Sequence, residues 1–288
     1  MSKLAMNRPK LEELHKIIDN AFEEDIREGD HSALACIPED ATGRAKLLVK
    51  EPCTLAGIDL AEIICKRYDA SLVFKKQMED GDLAKVGDIA FTIEGSSRSL
   101  LSTERLMLNC MQRMSAISSE TKKYTELVKQ HKAKILDTRK TTPGIRILEK
   151  WAVLIGGGHN HRMGLYDMIM LKDNHIDFCG SIERAIEKTY QYLEENQLII
   201  PIEVEARNLR EVEEILAAKP VQRIMLDNFN YEDTKKAVAL IDGRAETESS
   251  GGINLNTVAQ YAACGVDFIS VGAITHGVKN VDLSLKAW

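Results

Sequence analysis

The chain of 288 residues is poor in aromatics, at 5%, and has no surplus of positive charge: 38 Lys and Arg face 44 Asp and Glu, for a net charge of −6. Nucleic-acid binding draws on a basic face and on rings that stack with bases, so a nucleic-acid partner is not expected. No apolar run approaches the roughly 18 residues of a membrane helix. The opening MSKLAMNRPKLEELHKII also lacks the apolar core of a secretion signal. Six cysteines (Cys36, Cys53, Cys65, Cys110, Cys179, Cys264) are spread without a CxxC pair. That spacing argues against a disulfide scaffold or zinc knuckle and for reduced thiols. A dinucleotide fingerprint is missing too, since Gly156-Gly157-Gly158 has neither the spacing nor the strand-to-helix placement of GxGxxG. There is no internal repeat or low-complexity segment. The expectation is a soluble, cytoplasmic protein that engages neither nucleic acid nor membrane.

What is present suits a sizeable core. Hydrophobic residues make up 44% of the chain, enough for one large or two modest domains. Leu11, Leu14, Ile17, Ile18 and Phe22 recur at the spacing of one helix face, predicting an amphipathic helix over 10–25. AKLLVK (45–50), SLVFKKQ (71–77) and DIAFTIEG (88–95) read as strands. GIDLAEIICKRYD lies between the first two as a helix, and turns at Glu79-Asp80-Gly81-Asp82 and Val86-Gly87-Asp88 punctuate the order. That mixture predicts an N-terminal α/β sandwich domain over 1–115. A long helical pattern over 99–130, with a break expected near 115–119, bridges to a second domain. Met107, Met111 and Met114 along it are read as core filler. Beyond it, AKILD, MIMLK, LIIPIEVE, RIMLD, AETES and DFISV are apolar strands separated by helical patterns such as SIERAIEKTYQYLEE and NLREVEEILAAK. This alternation predicts a parallel sheet covered by helices over 116–275. Pattern alone leaves barrel and open sheet both standing. The tail, 276–288, breaks the alternation.

Within this acidic chain, residues 138–172 hold six cations (Arg139, Lys140, Arg146, Lys150, Arg162, Lys172) against two carboxylates (Glu149, Asp167). Such a local excess suggests a small, highly anionic ligand. Thr138, Arg139 and Lys140 follow the strand AKILD, and Lys172 closes MIMLK, so strand ends deliver them. Arginine offers a planar fork and lysine a point charge, a mixture suited to carboxylate and phosphate together. Glu205 and Asp227 close LIIPIEVE and RIMLD in the same way. Each could cap the following helix, or the pair could bind ribose hydroxyls and Mg²⁺, a hard cation that takes few carboxylates.

Glu248-Ser249-Ser250-Gly251-Gly252 and Ser270-Val271-Gly272 end the last two strands. Read singly, each is a structural turn. After the final strands of a barrel, phosphate is often held there, and glycine amides with a helix predicted over 254–264 suit it. His159 and His161 flank Asn160 with no third ligand nearby, which favours substrate contact by His161 and Arg162 over zinc. His175 reads equally as a loop hydrogen-bond partner or a ligand contact. Arg105, among Leu101, Leu106 and Leu108, reads by default as exposed or salt-bridged.

DTRKTTPG, GGGHNHR and LKDNH, in this order and spacing, resemble quinolinate phosphoribosyltransferase, the family of carboxylating nicotinate-nucleotide pyrophosphorylases of NAD synthesis. VGDIAFTIEGSSRSLLSTERLMLN upstream, and EVEARN, LDNF, ESSGGIN and SVGAIT downstream, extend the resemblance over nearly the whole chain. It implies an incomplete, seven-stranded α/β barrel, so one strand beyond the six is expected, with the tail returning to the first domain. It also implies phosphoribosyl transfer from phosphoribosyl pyrophosphate to quinolinate with decarboxylation, and Mg²⁺ as cofactor. The implied products are nicotinate mononucleotide, pyrophosphate and CO2, with no covalent nucleophile expected from the protein.

Under that resemblance Arg105, Arg139, His161, Arg162 and Lys172 fall to the pyridine carboxylates and the adjoining phosphate, with Thr138 also binding substrate and Lys140 close to both substrates. Glu205 and Asp227 take ribose and metal, and with Lys140 they are the expected catalytic residues. Ser250, Gly251 and Gly272 take the monophosphate, with Gly252 and Ser270 also binding substrate. Arg105 is implied to reach the site of a neighbouring subunit, in a homodimer with a shared site or a hexamer. One departure stands out: relatives commonly read Ser-Gly-Ile-Ala-Thr where this chain has Ser115-Ala116-Ile117-Ser118-Ser119. A local packing change is expected there. Two rival readings are a phosphoribosyltransferase for nicotinate or another base, including proteins associated with molybdenum transport, and a non-catalytic barrel that senses phosphoribosyl pyrophosphate.

Overall fold

Helix α1, Leu11–Asp25, places Leu14 and Ile18 in the core as its spacing requires, in a computed structural model that describes residues 8–288. The first seven residues, on which part of the leaderless reading of the N-terminus rests, lie outside the described residues. Two compact units divide the chain. The first takes everything up to Lys122, together with Thr141–Gly157 and Ile274–Trp288, and the second takes Lys123–Lys140 and Gly158–Ala273. The boundary expected after 115 therefore falls inside the first unit.

After the short helix α2 (His31–Cys36), the first unit builds an antiparallel sheet from β1 (Thr42–Val49), β3 (Val73–Lys76), β5 (Ile89–Ser96) and the tail strand β12 (Leu283–Ala287), in the order β12-β1-β5-β3. Ala45 pairs with Ala287 on one side of β1 and with Ile93 on the other. Along β1 the inward positions Ala45, Leu47 and Val49 are buried and their neighbours are not, the alternation of a sheet with one core face. Helix α3 (Ile58–Tyr68) buries Ile58, Leu60, Ala61 and Ile64. A two-residue ladder joins β2 (Cys53–Thr54) to β4 (Leu83–Ala84).

The long helix α4, Ser97–Val128, runs unbroken where a break was expected. Its serines work as connectors instead: the Thr54 N–H donates to Ser119 Oγ at 2.8 Å, the Ala56 N–H to Ser115 Oγ at 3.0 Å, and Ser119 Oγ back to the Ser115 carbonyl at 2.6 Å. Ser and Thr that bond back to the i−4 carbonyl persist inside helices. Met107, Met111 and Met114 are buried, as expected of core filler, and Ala116 is buried as well. Helix α5, Arg146–Ile155, ends at Gly156. A Cβ there would lie 2.5 Å from the Ser118 carbonyl oxygen, so only glycine allows this approach to α4.

The second unit is a parallel sheet of β6 (Lys134–Leu136), β7 (Ile169–Leu171), β8 (Ile202–Ala206), β9 (Arg223–Asp227), β10 (Glu246–Ser250) and β11 (Phe268–Ser270), ordered β6-β11-β10-β9-β8-β7. Helices α6 (Asp173–Cys179), α7 (Ile182–Glu195), α8 (Leu209–Ala217), α9 (Tyr231–Ile241) and α10 (Val258–Ala263) connect successive strands, and α11 (Ala273–His276) follows the last. The six strands match the six read from the sequence. The expected seventh is reduced to a parallel bridge between His159 and Leu136, on the edge of β6 away from β11. There the His159 N–H donates to the Ile135 carbonyl at 2.8 Å and the Asp137 N–H to that of His159 at 3.1 Å. This is the incomplete α/β barrel. Helix α10 starts at Val258, later than the 254 predicted, because Asn254 and Thr257 close a turn first, with the Asn254 N–H donating to Thr257 Oγ1 at 3.0 Å.

Candidate active site

Four of the six cations between 138 and 172 belong to the second unit: Arg139, Lys140, Arg162 and Lys172. The other two do not join them there. Arg146 and Lys150 lie on α5 in the first unit, where Lys150 is fully buried. The nearby Glu149 carboxylate is also accounted for. Arg113 Nε donates to it at 2.8 Å, and so do the Thr142 N–H and hydroxyl at 3.0 and 2.8 Å. Arg146 Nε donates to Thr141 Oγ1 at 2.9 Å in the same unit, so the charge excess read from the sequence is divided between the two units.

In the second unit the strands deliver their polar ends together. Side chains on a strand alternate with period two, so Glu203 and Glu205 of β8 share a face, as do Arg223 and Asp227 of β9, and Glu246, Glu248 and Ser250 of β10. Ser250 pairs with Asp227, and Glu205 with Met225, which sets the C-terminal ends of these strands side by side. Lys172, directly after β7, places Nζ 2.7 Å from Glu205 Oε2. The His175 side chain closes the same loop, its Nδ1 accepting from the Lys172 N–H at 3.0 Å. Thr138 Oγ1 accepts from the Lys140 N–H at 3.0 Å and so shapes the turn after β6.

Arg162 is half-buried, and its Nη1 donates to the Met168 carbonyl at 3.2 Å. Burial, and then the charge of neighbouring Arg139, pull its guanidinium below the usual range. Two like charges held this close disfavour each other, and an anion between them removes the penalty. Arg162 and Lys172 both act on Glu203 as well. Arg139 is thus within charge range of Arg162, and Arg162 and Lys172 are both within charge range of Glu203. Asp227 Oδ2 accepts from Asn228 Nδ2 at 2.7 Å.

The glycine segment is built for close approach. Gly251 has φ +96°, and a Cβ there would collide with the Asn228 side chain and backbone. Asn228 itself sits at φ +55° and donates its N–H to the Ser250 carbonyl at 2.9 Å. This tight corner joins the ends of β9 and β10. Gly252 also has positive φ, and Gly272 leads into α11 after β11. Ser270 is buried and its hydroxyl faces Glu248. Arg105 is exposed on α4 in the first unit.

Beneath the strand ends lies a charged layer that sequence reading missed. Glu203 and Glu248 are completely buried, and Arg223 is 8% exposed. Arg223 Nη1 donates to Glu248 Oε2 at 2.9 Å, Nη2 to Glu246 Oε2 at 3.0 Å, and the guanidinium stacks 4.0 Å from the centre of the Phe268 ring. His161 Nε2 is 3.0 Å from Glu203 Oε2 and 3.5 Å from Glu248 Oε2. Burial pushes Glu203 up to about 7, against the pull of Arg223, Arg162 and Lys172. It pushes Glu248 up to about 7 as well, with Glu203 adding to the rise. Among the described residues, His161, Glu203 and Glu248 are the group with metal-ligand spacing. Arg223 already donates to Glu248, however, so a cation occupies that side of the group. The available signal was charge inside otherwise apolar strands: IEVEA carries two acids at period two, and RIMLD opens on an arginine.

Family models described as quinolinate phosphoribosyl transferase, N-terminal domain and C-terminal domain, match residues 30–115 and 117–286. A quinolinate phosphoribosyltransferase [decarboxylating] 1b of Nicotiana tabacum is 44% identical over 289 residues, covering 95% of this chain and 82% of that relative. A nicotinate-nucleotide pyrophosphorylase [carboxylating] of Mycobacterium leprae is 39% identical, covering 93% of this chain and 95% of the relative. A crystal structure of NadC from Streptococcus pyogenes superimposes with a TM-score of 0.90 at 38% identity, over 96% of this chain and 97% of that one.

Proposed function

The chain belongs to the quinolinate phosphoribosyltransferase family, and from that premise we propose how its own residues carry the reaction. The protein transfers phosphoribosyl from phosphoribosyl pyrophosphate to quinolinate with decarboxylation, in NAD biosynthesis. The observation that carries the assignment of residues is the convergence of Arg139, Arg162 and Lys172 beside the strand-end carboxylates Glu205 and Asp227.

Quinolinate brings two carboxylates and phosphoribosyl pyrophosphate brings a diphosphate and a monophosphate. Arg139 and Arg162 bind the pyridine carboxylates, and the dianion relieves their mutual repulsion. His161 stands behind Arg162. Lys172 bridges from Glu205 to the bound base, Thr138 shapes the adjoining turn, and Lys140 serves both substrates. Glu205 and Asp227 hold the ribose hydroxyls. Ser250, Gly251, Gly252, Ser270 and Gly272 hold the monophosphate, with backbone amides brought close by the Gly251 corner. These contacts align the ring nitrogen with the anomeric carbon, and fixed positive charge stabilises the departing pyrophosphate. No side chain forms a covalent bond to substrate.

Glu205 and Asp227 also suit Mg²⁺: both are hard oxygen donors at the ends of neighbouring strands, and each carboxylate keeps an oxygen beyond the one bonded to Lys172 or Asn228. When bound, Mg²⁺ neutralises pyrophosphate charge. A second copy of the chain completes the site by delivering its Arg105, exposed in the single chain, so a homodimer, or a hexamer built from it, is the working assembly. No helix among the described residues is long and apolar enough to cross a membrane. Reduced cysteines fit a cytoplasmic setting.

Incubation of the protein with quinolinate, phosphoribosyl pyrophosphate and Mg²⁺ tests the reading. Nicotinate mononucleotide and CO2 in equal amounts are expected, with loss of both on chelation. Turnover of nicotinate in preference to quinolinate, or substrate binding without pyrophosphate release, would refute it.

A further inference from the structure

The buried layer of Glu203, Glu248 and Arg223 has no part in the reaction as described. Two carboxylates taken wholly out of water are costly unless matched by charge and hydrogen bonds, and an apolar layer of the same volume would fold with less penalty. Their geometry points to a use. Period two puts Glu203 directly beneath Glu205, and Glu248 beneath Ser250. The bridge between this layer and the strand ends is His161.

One nitrogen of that imidazole accepts a hydrogen bond, and the other lies within ion-pair distance of two carboxylates without a hydrogen bond to either. Nε2 lies 3.0 Å from Glu203 Oε2 and 3.5 Å from Glu248 Oε2, and the Arg162 backbone N–H donates to Nδ1 at 2.6 Å. The His161 backbone N–H donates to Asp137 Oδ1 at 2.8 Å, and Asp137 is completely buried. The ring is thus clamped between the carboxylate pair below and the Arg162 main chain beside it.

We infer that Glu203 and Glu248 are positioning residues for the pyridine dicarboxylate: acting through His161, they fix the main chain of Arg162 and hence the direction of its guanidinium, while Arg223 balances their charge. The inference rests on the function proposed above. It makes His161 a strut for Arg162 and gives the dicarboxylate pocket, rather than the phosphoribosyl pocket, its dependence on the buried pair.

The test uses the full-length enzyme. Glu203→Gln keeps the shape and removes the charge. It should raise KM for quinolinate about tenfold, within the coupling range of residues in contact. KM for phosphoribosyl pyrophosphate should stay within about twofold, as contacts remote from the change usually do. Arg162→Lys should raise the same KM, and the Glu203→Gln/Arg162→Lys double variant should be little worse than Arg162→Lys alone. An unchanged quinolinate KM, equal rises in both KM values, or additive effects in the double variant would overturn the inference. Should Glu203→Gln fail to fold, nitrogen-15 NMR of the unaltered protein decides: the proton is expected on His161 Nε2 with Nδ1 bare, and the opposite tautomer contradicts the clamp. Absence of CO2 release by the unaltered enzyme would sink the function itself, whereas normal release with an unaffected Glu203→Gln variant would sink only this inference.

Discussion

The sheets of the two units bury their strands by opposite rules. In β1 of the first unit the inward residues are apolar and the outward ones reach solvent, whereas every residue of β8 in the second unit is buried, Glu203 and Glu205 included. An antiparallel sheet with one wet face can keep its charges outside, but a parallel sheet covered by helices has an interior on both faces. Charge on the inner face of such a sheet must be matched or used. In the second unit it is both: Arg223 matches Glu248, and Lys172 joins Glu205 at the strand ends. The same residue types reach solvent in one sheet and are buried and paired in the other.

The largest expected effect would break this contrast from the packing side. Phe91 is fully buried in the first unit, its ring 4.4 Å from that of Phe74. Phe91→Ala should cost about 4 kcal/mol of stability, read by denaturant unfolding, with kcat/KM of the folded fraction unchanged. From the chemical side, Lys172→Ala should cost on the order of 3 kcal/mol in transition-state stabilisation, roughly a hundredfold in kcat/KM, with an unfolding midpoint close to the parent's. Reversal of these two outcomes would erase the division of labour.

Gly251→Ala lies between the two classes. A methyl group at φ +96° against Asn228 should strain the corner by about 2 kcal/mol and raise KM for phosphoribosyl pyrophosphate more than KM for quinolinate. Steady-state kinetics with each substrate varied would show it.

The most gradual signal is a drift of stability with pH. Glu203 and Glu248 rise from 4.5 in model compounds to about 7 in the fold, so the folded state binds more protons than the unfolded one between those values. Stability from this source is complete below about 4.5 and is lost as pH climbs through about 7. Urea unfolding at intervals from pH 4.5 to 8 should show the decline. Glu203→Gln should flatten it.

The alternation of strands and helices was legible because periods of two and 3.6 leave their mark on the sequence, and Lys172, Glu205 and Asp227 could be placed at strand ends for the same reason. Three features were not. The serines at 115 and 119 looked like a helix break, since their hydrogen bonds to the 54–56 segment depend on tertiary structure. The seventh strand is one bridge at His159 and has no period to read. In β8, burial on both faces hides which residues point inward, so Glu203 was marked only by its place inside an otherwise apolar strand. Arg146 and Lys150 show the converse, since proximity in sequence to Arg139 did not bring them into the same unit.

The account stands on guanidinium groups from separate segments meeting over one dianion, and a double-mutant cycle on Arg139 and Arg162 tests that meeting most directly. With kcat/KM for quinolinate measured in the parent, Arg139→Ala, Arg162→Ala and the double variant, the predicted coupling is at least about 1 kcal/mol, as for residues that share a partner. Strictly additive losses, or near-normal turnover in either single variant, would contradict it.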